Sequence, residues 1–186
     1  MRQSKKDLPA VRAISGNRMT MSMSAYLRKY TLISIIGILI GIIQTSAFGA
    51  IPFIKATPDL IFMFVFAVGF LDGMIPGAIA AVAGGFISDV LGSFGASVLI
   101  FFYLVTVISS CLISQSRFAT NFPTWIIISA SACTLKAFYS VLLVSTLSFS
   151  YSIIDLFGNT VIPEFIYTFI FGIPIFFIVK KIVNSF

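Results

Sequence analysis

The stretch that decides the fold is Thr57–Gly95, TPDLIFMFVFAVGFLDGMIPGAIAAVAGGFISDVLGSFG. It is almost wholly apolar, yet it holds three acids, Asp59, Asp72 and Asp89, and seven glycines, at 69, 73, 77, 84, 85, 92 and 95. A plain membrane anchor needs neither. Acids at bilayer depth are costly, and a glycine inside a helix loses about 1 kcal/mol against alanine on the soluble-helix scale. Leu60–Ser88 spans 29 residues with Asp72 as its single charge. As one helix it would be about 43 Å long, too much for one upright pass of a ~30 Å hydrocarbon core and short for two full passes. The heptapeptide Leu71-Asp72-Gly73-Met74-Ile75-Pro76-Gly77 in its middle is rich in turn-forming residues, so the reading is two short helices joined at Asp72–Gly77. Pro58 and Asp59 frame the entry: proline suits the first turn of a helix, and an anion there is favoured by the helix dipole.

Working outward, the chain has 186 residues, 59% hydrophobic and 10% charged, with mean hydropathy +1.08. Soluble domains are typically about 25% charged. The composition predicts an all-α membrane protein built as a bundle of six transmembrane helices, near residues 30–50, 59–71, 75–91, 94–114, 124–147 and 162–179. Residues 1–25 read as a disordered basic cytoplasmic tail, and 26–186 as the transmembrane domain. Met19, Met21 and Met23 offer alternative translation starts. The net charge of +6 belongs to the first 29 residues, where seven basic side chains face Asp7 alone. The basicity therefore reports orientation in the lipid bilayer, and no nucleic-acid partner is expected. With six spans, Arg28/Lys29, Arg117 and Lys180/Lys181 all fall on the cytoplasmic side, and only Lys55 lies outside. Five spans would place Lys180/Lys181 outside. Both termini are thus expected in the cytoplasm.

No histidine occurs, and Cys111 and Cys133 sit inside apolar runs, where they read as small hydrophobes. There is no nucleophile–base set, phosphate loop or metal-ligand spacing, so neither catalytic residues, nor a metal, nor a cofactor is expected. Trp125 and Tyr103 read as ordinary spanning-helix residues, though Trp125 stands where an interfacial aromatic belt would fall. The aromatic-rich external loop Ser148–Val161 is expected to lie in the interface.

Three features carry recognition potential. Gly69, Gly73 and Gly77, then Ala81, Gly85 and Asp89, recur every four residues, a spacing that lets another backbone approach closely. Whether that face packs inside the bundle or receives a partner's helix is open at this level. Asp89 ends an apolar helix, where the dipole disfavours an anion, so it needs either backbone amides of the following turn or a partner protein. Lys136 lies near the centre of its span, too deep for its stem to reach water, and Asp89, Asp72 and Glu164 are its candidate counter-charges.

Thr57-Pro58-Asp59-Leu60, Gly69, Gly73 and Gly77, Gly84-Gly85-Phe86 and Asp89-Val90-Leu91-Gly92 with Gly95, followed by a closing segment from Asn159 through Pro174 to Lys180-Lys181, resemble MreD, the bacterial rod shape-determining membrane protein family. The resemblance covers residues 26–186; the tail and Lys136 match no family hallmark. It implies a non-enzymatic scaffold of the inner (cytoplasmic) membrane, working in cell elongation and lateral peptidoglycan synthesis. Its implied partners are MreC, through a transmembrane helix and a periplasmic domain, and indirectly MreB, RodA and the associated transpeptidase. Pro58, Asp59, Gly73, Gly77, Gly84, Gly85, Asp89 and Gly92 are the motif residues for partner binding or structure, and a homo-oligomer is compatible with them. The same size, span number and Gly-Pro-rich centre also resemble the substrate-binding membrane subunits of energy-coupling-factor vitamin transporters, with Asp89, Asp155 and Glu164 then lining an outward cavity.

Overall fold

The structure is a computed structural model that describes residues 23–47, 57–91, 98–115, 121–147, 158 and 161–185. Lys55, Gly92, Gly95, Arg117, Asp155 and most of the 148–161 loop lie outside the described residues, as does the tail before Met23. Among the described residues the chain is all-helical, with six helices: α1 (Met23–Ala47), α2 (Leu60–Asp72), α3 (Met74–Leu91), α4 (Val98–Gln115), α5 (Phe122–Leu147) and α6 (Ile162–Asn184). Two stretches, Met23–Ser46 and Ile162–Asn184, are long and apolar enough to cross a membrane, and α2, α3 and α4 contribute shorter apolar helices.

The decisive stretch forms two helices, with a tighter joint than the sequence indicates. α2 ends at Asp72, Gly73 alone separates it from α3, and the Gly77 amide donates back to the Gly73 carbonyl at 3.2 Å. Pro76 lies in the first turn of α3, where its missing N–H has no intrahelical partner to lose. Gly73 has φ +101° and ψ −169°, a region open essentially to glycine alone. A Cβ there would touch nothing within 4 Å. Gly73→Ala is therefore expected to destabilise by backbone strain alone, by about 1–3 kcal/mol, seen as a lowered unfolding temperature in detergent. Wild-type stability in this variant would contradict the strain.

α2 is the core of the molecule. Leu60–Phe70 is buried throughout, with Phe62, Phe66 and Phe70 stacked along it. α3, α4 and α6 pack closely on it, and α1 and α5 more lightly. Thirteen residues make a helix of about 20 Å, shorter than a ~30 Å hydrocarbon core. Protein groups satisfy the backbone amides at its N-terminal end. The Asp59 carboxylate accepts the Phe62 amide at 2.9 Å, Gln44 of α1 accepts the Ile61 amide at 3.0 Å, and Thr168 of α6 accepts the Asp59 amide at 2.9 Å.

Several boundaries differ from the sequence reading. α1 begins at Met23, not near Tyr30, so Met23–Ala25 are helical rather than part of the tail. The reason is Lys29, which is buried and reaches Asp72 at 2.5 Å, drawing the basic segment into the bundle as helix. α6 runs on to Asn184 through Lys180 and Lys181, basic residues suited to a helix C-terminus, while the expected start of the fourth helix at 94 lies outside the described residues. Trp125, read as a spanning-helix residue, lies inside α5. It is fully buried against Phe176 at 4.6 Å, beside Phe122.

Candidate functional site

The buried charges converge where α2 begins. Asp59, one residue before the helix, is held by its capping bond to Phe62 and by the Thr168 hydroxyl. From α5, the Lys136 ammonium stands 2.7 Å from Asp59 Oδ2 and also pairs with Glu164 Oε1 in the first turn of α6. From α4, the Tyr103 hydroxyl lies 2.9 Å from both Asp59 oxygens, to which it donates its one proton. The Lys136 ammonium also sits 5.7 Å above the Phe62 ring, a cation–π distance. The site thus gathers α2, α4, α5 and α6 through one acid. Asp59 and Lys136 are 5% and 8% exposed, so their mutual attraction acts at low dielectric, and its net value depends on the completeness of the surrounding hydrogen bonds. The Asp59 carboxylate meets that condition with an amide, a hydroxyl and an ammonium.

Lys136 thus finds Glu164, one of the three counter-charges expected for it, and a second that was not expected, Asp59. Asp72 is instead taken by Lys29, and Asp89 by backbone. The Asp89 carboxylate accepts the Leu99 and Ile100 amides at 3.3 and 3.4 Å, so an acid at the end of α3 caps the start of α4. The anion disfavoured by one helix dipole is favoured by the next. Tyr103, read from sequence as an ordinary spanning residue, is a hydrogen-bonding member of the cluster. So is Thr168, which no sequence signal singles out beyond a lone hydroxyl four residues after Glu164, on the same helix face.

The glycines of the repeating pattern face the chain's own helices. A Cβ on Gly77 would stand 2.9 Å from the Gly69 Cα and 2.7 Å from Val107 Cγ1. One on Gly84 would meet Ile61 at 2.6 Å, and one on Gly85 would meet the Ile100 Cα at 3.0 Å. Gly69, Gly77, Gly84 and Gly85 therefore set how closely α2, α3 and α4 seat against one another. Pro58 is buried. Cys111 and Cys133 are buried, with Cys133 Sγ 3.8 Å from Met63 Sδ.

Comparison with protein-family models, with curated proteins and with solved structures finds no match for this chain.

Proposed function

We propose that this protein is a six-span, non-enzymatic scaffold of the bacterial cytoplasmic membrane of the MreD type, which binds MreC and helps direct lateral peptidoglycan synthesis and rod shape. The observation that carries the proposal is the use made of the motif residues. Asp59 caps and anchors the central helix, Gly73 makes the joint, and Gly77, Gly84 and Gly85 seat α3, so the residues behind the resemblance are those on which the bundle depends. Nothing in their arrangement calls for turnover chemistry. A six-span topology is supported by the presence of six helices with basic residues in the first turns of the first and at the end of the last, which an even number of passes would keep on the cytoplasmic side. The short α2 is compatible with it, since protein rather than lipid surrounds that helix on all sides.

The glycine face is occupied from within, so a partner's transmembrane helix would meet α3 on its opposite face. There Ile75, Val82, Phe86 and Val90 are 50–65% exposed along one stripe. The test is co-purification from membranes in mild detergent. An MreC-like protein recovered with this chain supports the scaffold, and repeated recovery of none counts against it. A second reading, a substrate-binding subunit of an energy-coupling-factor transporter, draws support from the buried polar cluster at Asp59, Lys136 and Glu164. Co-purification of coupling ATPases would favour it, as would ATPase genes beside this one in place of an MreC gene.

A further inference from the structure

The helices are not held with equal force. α2 packs closely with α3, α4 and α6, and α3 with α1 and α4, whereas α5 meets α6 and α2 only lightly. Trp125, Ser129, Cys133 and Lys136 are its buried residues, three or four positions apart on one face, while Ile127, Leu135 and Phe138 are exposed. Two of those four inward side chains, Ser129 and Cys133, are small. Near its start, Trp125 and Phe122 pack on Phe176 of α6, with ring centroids 4.6 and 5.4 Å away. Further along, Tyr139 stacks on Phe102 of α4 at 4.7 Å. Between these contacts stands Lys136, the one charged residue in α5. The rest of its cluster belongs to other helices: Asp59 keeps the Phe62 amide of α2 and the Tyr103 hydroxyl of α4, and Glu164 lies on α6. Withdrawing α5 would take away the ammonium and leave those bonds in place. Apolar helices gain little from each other when lipid is the alternative, so a lightly packed helix parts at low cost once its directional tie is broken.

We propose that α5 is a gate, which swings from the bundle as a unit on its Trp125 end, with Lys136 as the latch, while the other helices stay packed. Opening carries Lys136 away from Asp59 and Glu164, and Cys133 away from Met63. Both carboxylates and the Tyr103 hydroxyl then face the space that α5 vacates. The closed state is the resting one, because a buried carboxylate without its cation is costly. Loss of the Glu164 charge weakens the latch and favours the open state. Glu164 is also the partner that can be neutralised with less damage, since Asp59 caps α2 as well. The gate holds for whichever partner the protein binds.

The chain carries its own probes. Cys133 is buried on the inward face of α5, and Cys111 is buried on α4, which packs closely on α2 and α3. The test is labelling of the purified full chain in mild detergent with N-ethylmaleimide, over a series of urea concentrations below the unfolding transition. Mass spectrometry after digestion follows each cysteine separately. A thiol reached by local opening reacts at a rate that changes little with urea, whereas one reached by global unfolding follows the steep dependence of the whole chain. The expected result is a shallow dependence at Cys133 and a steep one at Cys111. In E164Q, labelling of Cys133 should be about tenfold faster, equivalent to ~1.4 kcal/mol, with the Cys111 rate unchanged. The comparison within the wild-type chain stays decisive even if E164Q folds poorly. One shared urea dependence for the two cysteines would overturn the gate, as would a Cys133 that stays unlabelled until the chain unfolds. An E164Q change that speeds both cysteines alike, or leaves Cys133 as slow as before, would overturn the latch.

Discussion

Replacing Lys136 by glutamate is expected to abolish recovery of folded protein, while Lys136→Leu is expected to leave a reduced but measurable folded fraction. The ammonium is the one cation among the described residues that touches both Asp59 and Glu164. Removing one partner of a buried ion pair typically costs about 3–5 kcal/mol, a large part of a total stability of roughly 5–15 kcal/mol. Leucine incurs that loss but keeps the volume and apolar character of the stem. Glutamate incurs it and adds a third carboxylate to a buried site with none to balance it. Monodisperse yield on size exclusion in mild detergent measures the difference. Equal yields of the two variants would show that Lys136 is not the charge that holds the cluster. Combining Lys136→Leu with Asp59→Asn and Glu164→Gln is expected to recover part of the loss, because the uncompensated charges go with the cation.

The second large effect is expected at Gly77. A methyl group there would press on the Gly69 backbone and on Val107, and a backbone cannot swing aside. Glycine to alanine inside an exposed helix gains about 1 kcal/mol of propensity. Overpacking in a filled interior costs about 1–3 kcal/mol, and the backbone contact puts Gly77 at the upper end. Gly77→Ala should therefore lower the unfolding temperature clearly, and Gly77→Val more. Gly37 of α1 is the matched control. Its nearest contact is the ring edge of Phe64 at 3.3 Å, which can shift by a few tenths of an ångström. Gly37→Ala should be near neutral. A Gly77→Ala protein as stable as the Gly37→Ala protein would mean that α3 can move away from α2 at little cost.

These two residues also divide what is legible in the chain. The glycine spacing was visible as a close-approach surface, and so was the break at Asp72–Gly77, because small residues at a helical period and turn formers in an apolar run are local signals. Lys136 was visible as a charge in need of a partner. Its two partners lie 77 and 28 residues away along the chain, and no local pattern selects between acids that far apart. Asp59 was the harder one to find, because a Pro-Asp helix entry ordinarily marks a water interface. Position along a helix likewise does not reveal that Trp125 packs wholly against Phe122 and Phe176.

The sequence by itself determined an apolar, helical chain, the split of Thr57–Gly95 into two short helices, and the approximate place of the helices among the described residues, since these follow from composition, length and turn chemistry near each residue. Only the tertiary structure decided that α2 is the central helix, that the glycines face inward, and that Asp59, Tyr103, Lys136, Glu164 and Thr168 form one buried cluster. The physical reason is the shortness of α2. A helix of 13 residues wrapped by its neighbours brings its capping acid down among them, where burial turns an ordinary N-cap into the charge around which four helices meet.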